Sequence, residues 1–250
     1  MPCWITPLNV FGVKVVSRFP KRQPTIAADI LLYNAENGTL LALLDGTWIT
    51  TMRTGAVAAL TISLLAKENA RTFAFLGLGA TAHATLRCLL GGGLGFENRP
   101  ITLRLLRYKG QEMDFSRAFA NSPNVHFEFA DSLNTLFDGA DVVVSAVSAF
   151  EKSIAAPCDF STGVLIVPIH TRGFEECDTA FERIFGDDRG HLAHFRHFKE
   201  FQNFTEMSEL LKKPALGRQN QNERILAYNI GIALHDVYFA TQIARLLNVD

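Results

Sequence analysis

The turn Gly77-Leu78-Gly79-Ala80-Thr81-Ala82 is the stretch of this sequence whose residue types and spacing point most directly to chemistry. A glycine at the first position permits a tight turn, and one at the third lets the backbone approach a pyrophosphate. The small Ala82 lets a following helix lie close on a strand. The flanks supply the context this pattern needs, with apolar Thr72-Phe73-Ala74-Phe75-Leu76 before it and a helical stretch to about Leu90 after it. Phosphates would rest on the free N–H groups of that helix N-terminus. Gly77, Gly79, Ala80, Thr81 and Ala82 are therefore expected to bind a dinucleotide, joined by Ser145, Ala146 and Val147 after a later strand. NAD-specific sites place an acid at the end of the second strand for the ribose 2′-OH. Here that strand runs Leu103-Arg104-Leu105-Leu106-Arg107-Tyr108-Lys109, with no acid. Arg107, and less directly Lys109, suits a 2′-phosphate and tilts an NAD(P) site toward NADP(H); bases that simply face solvent are the alternative.

Two other groups of reactive side chains carry less. His191, His194 and His197 stand at i, i+3 and i+6 in a phenylalanine-rich stretch. A metal ion usually needs further ligands and a different spacing, so solvated histidines on a surface helix or loop are expected, and no metal. Cys3, Cys88, Cys158 and Cys177 form no CxxC pair, which fits reduced thiols in a cytoplasm.

The elements around the glycine turn read as alternating strand and helix. After the turn and its helix come a strand at Ile101–Leu106, a helix at 111–120, a strand at Val125–Phe129, a helix at Leu133–Phe137, a strand at Ala140–Ser145 and a run at Val164–Val167. This is the signature of a doubly wound parallel sheet of Rossmann type. Before it, Val13–Val16, Ile30–Tyr33 and Leu40–Leu44 are short strands separated by Pro20, Pro24 and the hairpin step Asn37-Gly38. A helix with a small-residue face is expected over 53–67, and a long helix over 222–247 with Leu226, Ile230, Ala233 and Val237 on one face. The economical architecture is α/β: residues 66–211 form a Rossmann domain inserted into a smaller α+β domain made of 1–65 and 212–250.

Bulk properties narrow the classes. The chain has 250 residues, 48% hydrophobic and 20% charged, with net charge −1. That balance removes an electrostatic case for nucleic acid or an acidic membrane surface. No basic segment followed by an apolar run opens the chain, and no apolar stretch is read as approaching the roughly 20 residues that span a bilayer. A cytoplasmic protein is expected.

Taken together, Gly12-Val13-Lys14, Asn37-Gly38-Thr39-Leu40 with Leu44-Asp45-Gly46, Ile49–Ala56, the glycine turn, Gly139–Val143, Gly217-Arg218 and Gly231–Asp236 resemble the ornithine cyclodeaminase/μ-crystallin family in combination and order. The resemblance implies a homodimer, an NAD(P) site and a small amino-acid or imino-acid substrate. It also implies that Lys14 and Arg53 hold the substrate, in keeping with a guanidinium fork and an ammonium on a carboxylate. Three departures stand out. Relatives usually carry a further strand and charged groups before the Gly-Val-Lys strand, so the smaller domain is expected to be N-terminally shortened. Thr81 stands where glutamine is common. Finally, cyclodeaminases place an aspartate six residues before a glutamate after the fifth Rossmann strand, and counting back from Glu176 reaches His170. An imidazole there serves as a general base near neutral pH, or marks a lost catalytic group. The expected function is an NAD(P)-dependent enzyme, an oxidoreductase or ammonia-lyase, acting on a small amino or imino acid. The alternative is a nucleotide- and ligand-binding protein of μ-crystallin type without turnover.

Overall fold

The computed structural model describes residues 1–19, 21–147 and 153–247, so Pro20 lies outside it. Two compact units emerge: Met1–Thr54 with Gly231–Asp250, and Gly55–Ile230.

The first unit is an antiparallel sheet in the order β1 (Pro2–Ile5), β2 (Val10–Arg18), β3 (Ile26–Asn34) and β4 (Leu40–Asp45). The Asn37-Gly38 step joins β3 to β4, with Gly38 at φ +74°, the left-handed geometry that makes glycine the natural choice there. One sheet face packs on the C-terminal helix α7 (Ala233–Leu246) through Val10, Leu32, Ile30, Val237 and Ala240. Gly12 admits this approach, because a Cβ there would stand 2.8 Å from Val237 Cγ2.

The second unit is an eight-stranded sheet. Its members are β5 (Thr72–Leu76), β6 (Ile101–Leu106), β7 (Val125–Ala130), β8 (Val142–Ser145), β9 (Leu165–Pro168), β10 (Arg183–Gly186), β11 (Thr205–Glu206) and β12 (Ile225–Tyr228). They run in the order β11-β10-β12-β9-β8-β5-β6-β7, every pair parallel. Helices α2 (Ala80–Gly91), α3 (Gln111–Ala118) and α4 (Leu133–Phe137) link the first strands; α5 (Arg189–Leu192) and α6 (Met207–Lys212) are short pieces among the last. Strand order reverses between β5 and β8, the switch point at whose carboxyl edge such sheets bind ligands.

Several expectations are corrected. The segment expected as one helix over 222–247 is a strand, a glycine break and a shorter helix. β12 is buried at all four positions between β9 and β10, and a strand buried on both faces is apolar at every residue, so it mimics helical spacing. Helix α1 (Thr47–Leu65) starts six residues before the expected Arg53. Its opening Thr-Trp-Ile-Thr-Thr is poor in strong helix formers, and Asp45, whose carboxylate accepts the Thr47 N–H at 2.8 Å, and the buried Ile49 hold it instead. Its 19 residues are long and apolar enough to cross a membrane, contrary to the expectation that no stretch comes near that length. Ala58, Ala59, Ile62 and Leu65 are nonetheless spent on the core of the parallel sheet. The expected small-residue face is there: a Cβ on Gly55 would stand 2.5 Å from the Ala84 backbone of α2. Domain boundaries of 1–65 with 212–250 against 66–211 therefore give way to 54/55 and 230/231, because the end of α1 and all of β12 belong to the parallel sheet.

Candidate functional site

In the first unit, Lys14 of β2 and Arg53 of α1 meet on one carboxylate. Lys14 Nζ lies 2.7 Å from Asp236 Oδ2, and Arg53 Nε lies 3.1 Å from Asp236 Oδ1, with side-chain exposures of 1%, 6% and 0% for the lysine, arginine and aspartate. Two buried cations thus share one buried anion. An excess positive charge out of water is costly, and a second anion beside it would offset that cost. Burial and the neighbouring Arg53 pull the Lys14 ammonium below its ordinary pKa, and Asp236 partly restores it. Asp236 lies in the first turn of α7, where the helix dipole favours a carboxylate. Gly231, at φ +86°, carries the chain against the guanidinium so closely that a Cβ would stand 2.8 Å from Arg53 Cζ.

In the second unit, Gly77 at φ +77° turns the chain after β5, and a Cβ there would meet the Ala146 and Val147 backbone at 2.5 Å. Those two residues, expected to line a cofactor, thus also form the wall against which the turn is packed. Gly79 is the opposite case: a Cβ there would meet nothing within 4 Å. It is exposed and N-caps α2 with no capping side chain. Open space before uncapped helix N–H groups at the switch point fits a dinucleotide phosphate. Ala80 is exposed and Thr81 half-buried beside it, whereas Ala82 is fully buried in the core beneath the helix. Arg107, just past β6, pairs with Asp131 at 3.2 Å and lies over the Phe129 ring.

His170 follows β9 at the carboxyl edge of the sheet, as expected. Its Nε2 stands 2.6 Å from Ser145 Oγ at the end of β8, and its Nδ1 is shielded from solvent. Ser145, expected among the cofactor contacts, is fully buried and shares a hydrogen bond with this histidine. Among the histidines expected to be solvated, His191 and His194 are exposed and His197 is half-buried, bonded to Glu200 at 3.0 Å.

Three groups escape a reading of the sequence. Asp236 lies 183 residues from Arg53, and only the surplus of buried positive charge calls for it. His235, beside it, is half-buried, and burial together with Arg53 and Lys14 holds its imidazole below the usual pKa against the pull of Asp236. Asp178 is buried, accepts from the Tyr228 hydroxyl at 2.7 Å and is pushed up to about 7, chiefly by desolvation.

A model of the ornithine cyclodeaminase/mu-crystallin family matches residues 1–248. The chain is 26% identical to the nodulation efficiency protein NfeD of Rhizobium meliloti over 97% of its own length and 78% of that protein's. The Thermococcus litoralis Δ1-pyrroline-2-carboxylate reductase, solved with NADH and L-proline, superposes with TM-score 0.79 at 20% identity, covering all of this chain and 87% of that one. An archaeal alanine dehydrogenase dimer with bound NAD gives TM-score 0.78 at 20% identity, covering 96% of this chain and 79% of that one.

Proposed function

Because the chain belongs to the ornithine cyclodeaminase/mu-crystallin family, we propose that it is a nicotinamide-dependent enzyme acting at the α-carbon of a small amino or imino acid. The observation that carries this reading is the buried pair of cations, Lys14 and Arg53, on the single carboxylate of Asp236. A substrate carboxylate supplies the missing charge, and its bonds to both cations are charge-assisted. The bound cofactor supplies or accepts a hydride. Reduction of an imino acid adds that hydride to carbon and a proton to nitrogen; oxidation of an amino acid removes both, and cyclodeamination does each in turn.

For the cofactor we favour NADP(H). β6 ends without an acid, and Arg107 is half exposed in an ion pair whose Asp131 is 86% exposed, a contact worth little and readily exchanged for a 2′-phosphate. Tighter binding of NADH than NADPH at low salt would reverse this choice. We also propose a cytoplasmic homodimer. Trp4, Phe11, Val13, Leu31, Tyr33 and Leu43 share the sheet face opposite α7, where Phe11 and Tyr33 stack at 4.8 Å. Trp4 and Leu43 are 62% and 67% exposed, and an apolar face of this kind marks an interaction surface. The four cysteines are unpaired, as a reducing compartment requires.

The test is a screen of ornithine, L-proline, L-alanine, Δ1-pyrroline-2-carboxylate and pyruvate with an amine, each with NAD(H) and NADP(H), followed by nicotinamide absorbance. Turnover with one of these is expected. Binding of cofactor without turnover on any of them would favour the second reading, a binding protein of μ-crystallin type. The commitment of His170 to Ser145 is the observation on that side.

A further inference from the structure

We propose that the cavity between the loops after β8, β9 and β10 is a second small-molecule site, and that it takes an amino acid with a basic side chain. Its volume is about 1110 Å³, ample for a ligand of that size. It lies within the parallel-sheet unit, and none of Lys14, Arg53 and Asp236 lines it. The three loops leave the carboxyl ends of parallel strands, the edge at which such sheets bind ligands. Printed bonds hold their shape. The Ile154 N–H donates to the Gly173 carbonyl at 2.8 Å, tying the first loop to the second. Glu175 accepts the Gly173 N–H at 2.7 Å, and Asp188 accepts the His191 N–H at 2.8 Å.

The charges around the cavity decide the class of ligand. Among the described residues no three histidine, cysteine, aspartate or glutamate side chains are arranged to hold a metal ion. The carboxylates and imidazoles of this wall are therefore read against an organic ligand. The loop after β9 contributes Glu175, Glu176 and Asp178, and the cations are Arg172 and Arg196. A pure anion would meet three carboxylates, and a pure cation would meet two guanidinium groups. A ligand with both charges is complementary to both sets. With the imidazoles of His191, His194 and His197 neutral, three carboxylates against two arginines leave one negative charge over. An amino acid with a basic side chain carries two ammonium groups and one carboxylate, and so balances it.

Asp178 assigns the ammonium end. It is 1% exposed, and its Oδ1 accepts the Tyr228 hydroxyl at 2.7 Å. Its Oδ2 has no partner among the described residues. A buried carboxylate oxygen without a donor is costly, and a cationic N–H beside it offsets that cost. Burial holds this carboxyl up at about 7, and a neighbouring ammonium favours its ionised form. Phe195, half-buried in the same wall, packs edge-on to Tyr228 at 4.9 Å and offers apolar surface to the methylenes of the side chain. The ligand carboxylate falls to the exposed Arg172 and Arg196, whose guanidinium forks match it.

Calorimetric titration of the full-length protein with L-ornithine tests this. The wild type should show an ornithine site that Asp178→Asn weakens by about tenfold or more, the effect of one hydrogen bond to a charged group. Arg196→Glu should weaken the same site to a similar degree; this arginine is exposed, so the variant keeps the test sound where Asp178→Asn disturbs the fold. Arg53→Lys should leave this site unchanged. L-Norvaline, which is ornithine without the side-chain ammonium, should bind there at least about tenfold more weakly. Absence of ornithine binding, or ornithine binding that responds to Arg53→Lys and to neither of the other two variants, would overturn the proposal. The reading of Lys14 and Arg53 stands or falls separately, on whether Arg53→Lys weakens the binding of a substrate from the screen.

Discussion

A lysine, an arginine and an aspartate that are nearly water-free form a charge triangle whose sum is positive, and the proposed chemistry begins from that imbalance. Arg53 contacts Asp236 through Nε, and lysine cannot supply both that bond and a fork for a second carboxylate. Arg53→Lys should therefore weaken carboxylate binding by about 1.5–3 kcal/mol, the range for a hydrogen bond to a charged group, as read by calorimetric titration with a substrate from the screen. Undiminished affinity would return Arg53 to a structural role. Asp178 makes a separate prediction about stability. Its carboxyl is held at about 7 in the fold against an ordinary 3.8, so between these values the folded protein binds more protons than the unfolded chain. Stability must then fall as pH rises through that window, with the cost fully present above about 7. Asp178→Asn keeps a partner for the Tyr228 hydroxyl and removes the titration. Thermal melts of this variant should lose part of the decline between pH 4 and 7; an unchanged decline would assign it to other groups.

The glycine turn between β5 and α2 pairs one tightly packed glycine with one that faces open space. Gly77 has a left-handed φ and the Ala146–Val147 backbone at 2.5 Å from any added Cβ, while Gly79 faces open space. Gly77→Ala should therefore damage the fold, seen as a lowered melting temperature without any ligand. Gly79→Val should leave melting close to wild type and abolish cofactor binding, because the branched side chain occupies the place of the phosphates. Equal damage to stability from both would mean that the space before Gly79 is not a binding site. These positions were readable in advance, because strand, turn and helix are contiguous and each carries its own local pattern. β10, β11 and β12 were not: they are four, two and four residues long, and short buried runs carry no period that separates strand from helix.

For the molecule as a whole, the open question is what covers the outer face of the antiparallel sheet. Trp4, Phe11 and Tyr33 form one cross-strand row there, and Val13, Leu31 and Leu43 form the next. A charge placed in the middle of an apolar interface is strongly unfavourable. Leu43→Glu should therefore shift the protein from dimer to monomer in analytical ultracentrifugation while its melting at low concentration changes little, because Leu43 is 67% exposed in the single chain. A wild-type protein that sediments as a monomer at every concentration would remove the dimer from the proposal.

Local chemistry was enough to mark the parallel-sheet class, the hairpin at Asn37-Gly38 and the glycine turn between strand and helix, since each depends on residues within a few positions of one another. Lys14 and Arg53 could be named from their resemblance to a family, but not what holds them. Asp236 reaches Arg53 across 183 residues, and His170 is tied to Ser145 across 25. Whether a charge is buried, which acid neutralises it and which imidazole nitrogen is left to act are set by strands and helices remote in the chain. A desolvated charge takes its energy from whatever surrounds it in space, and those surroundings exist only once the tertiary structure has formed.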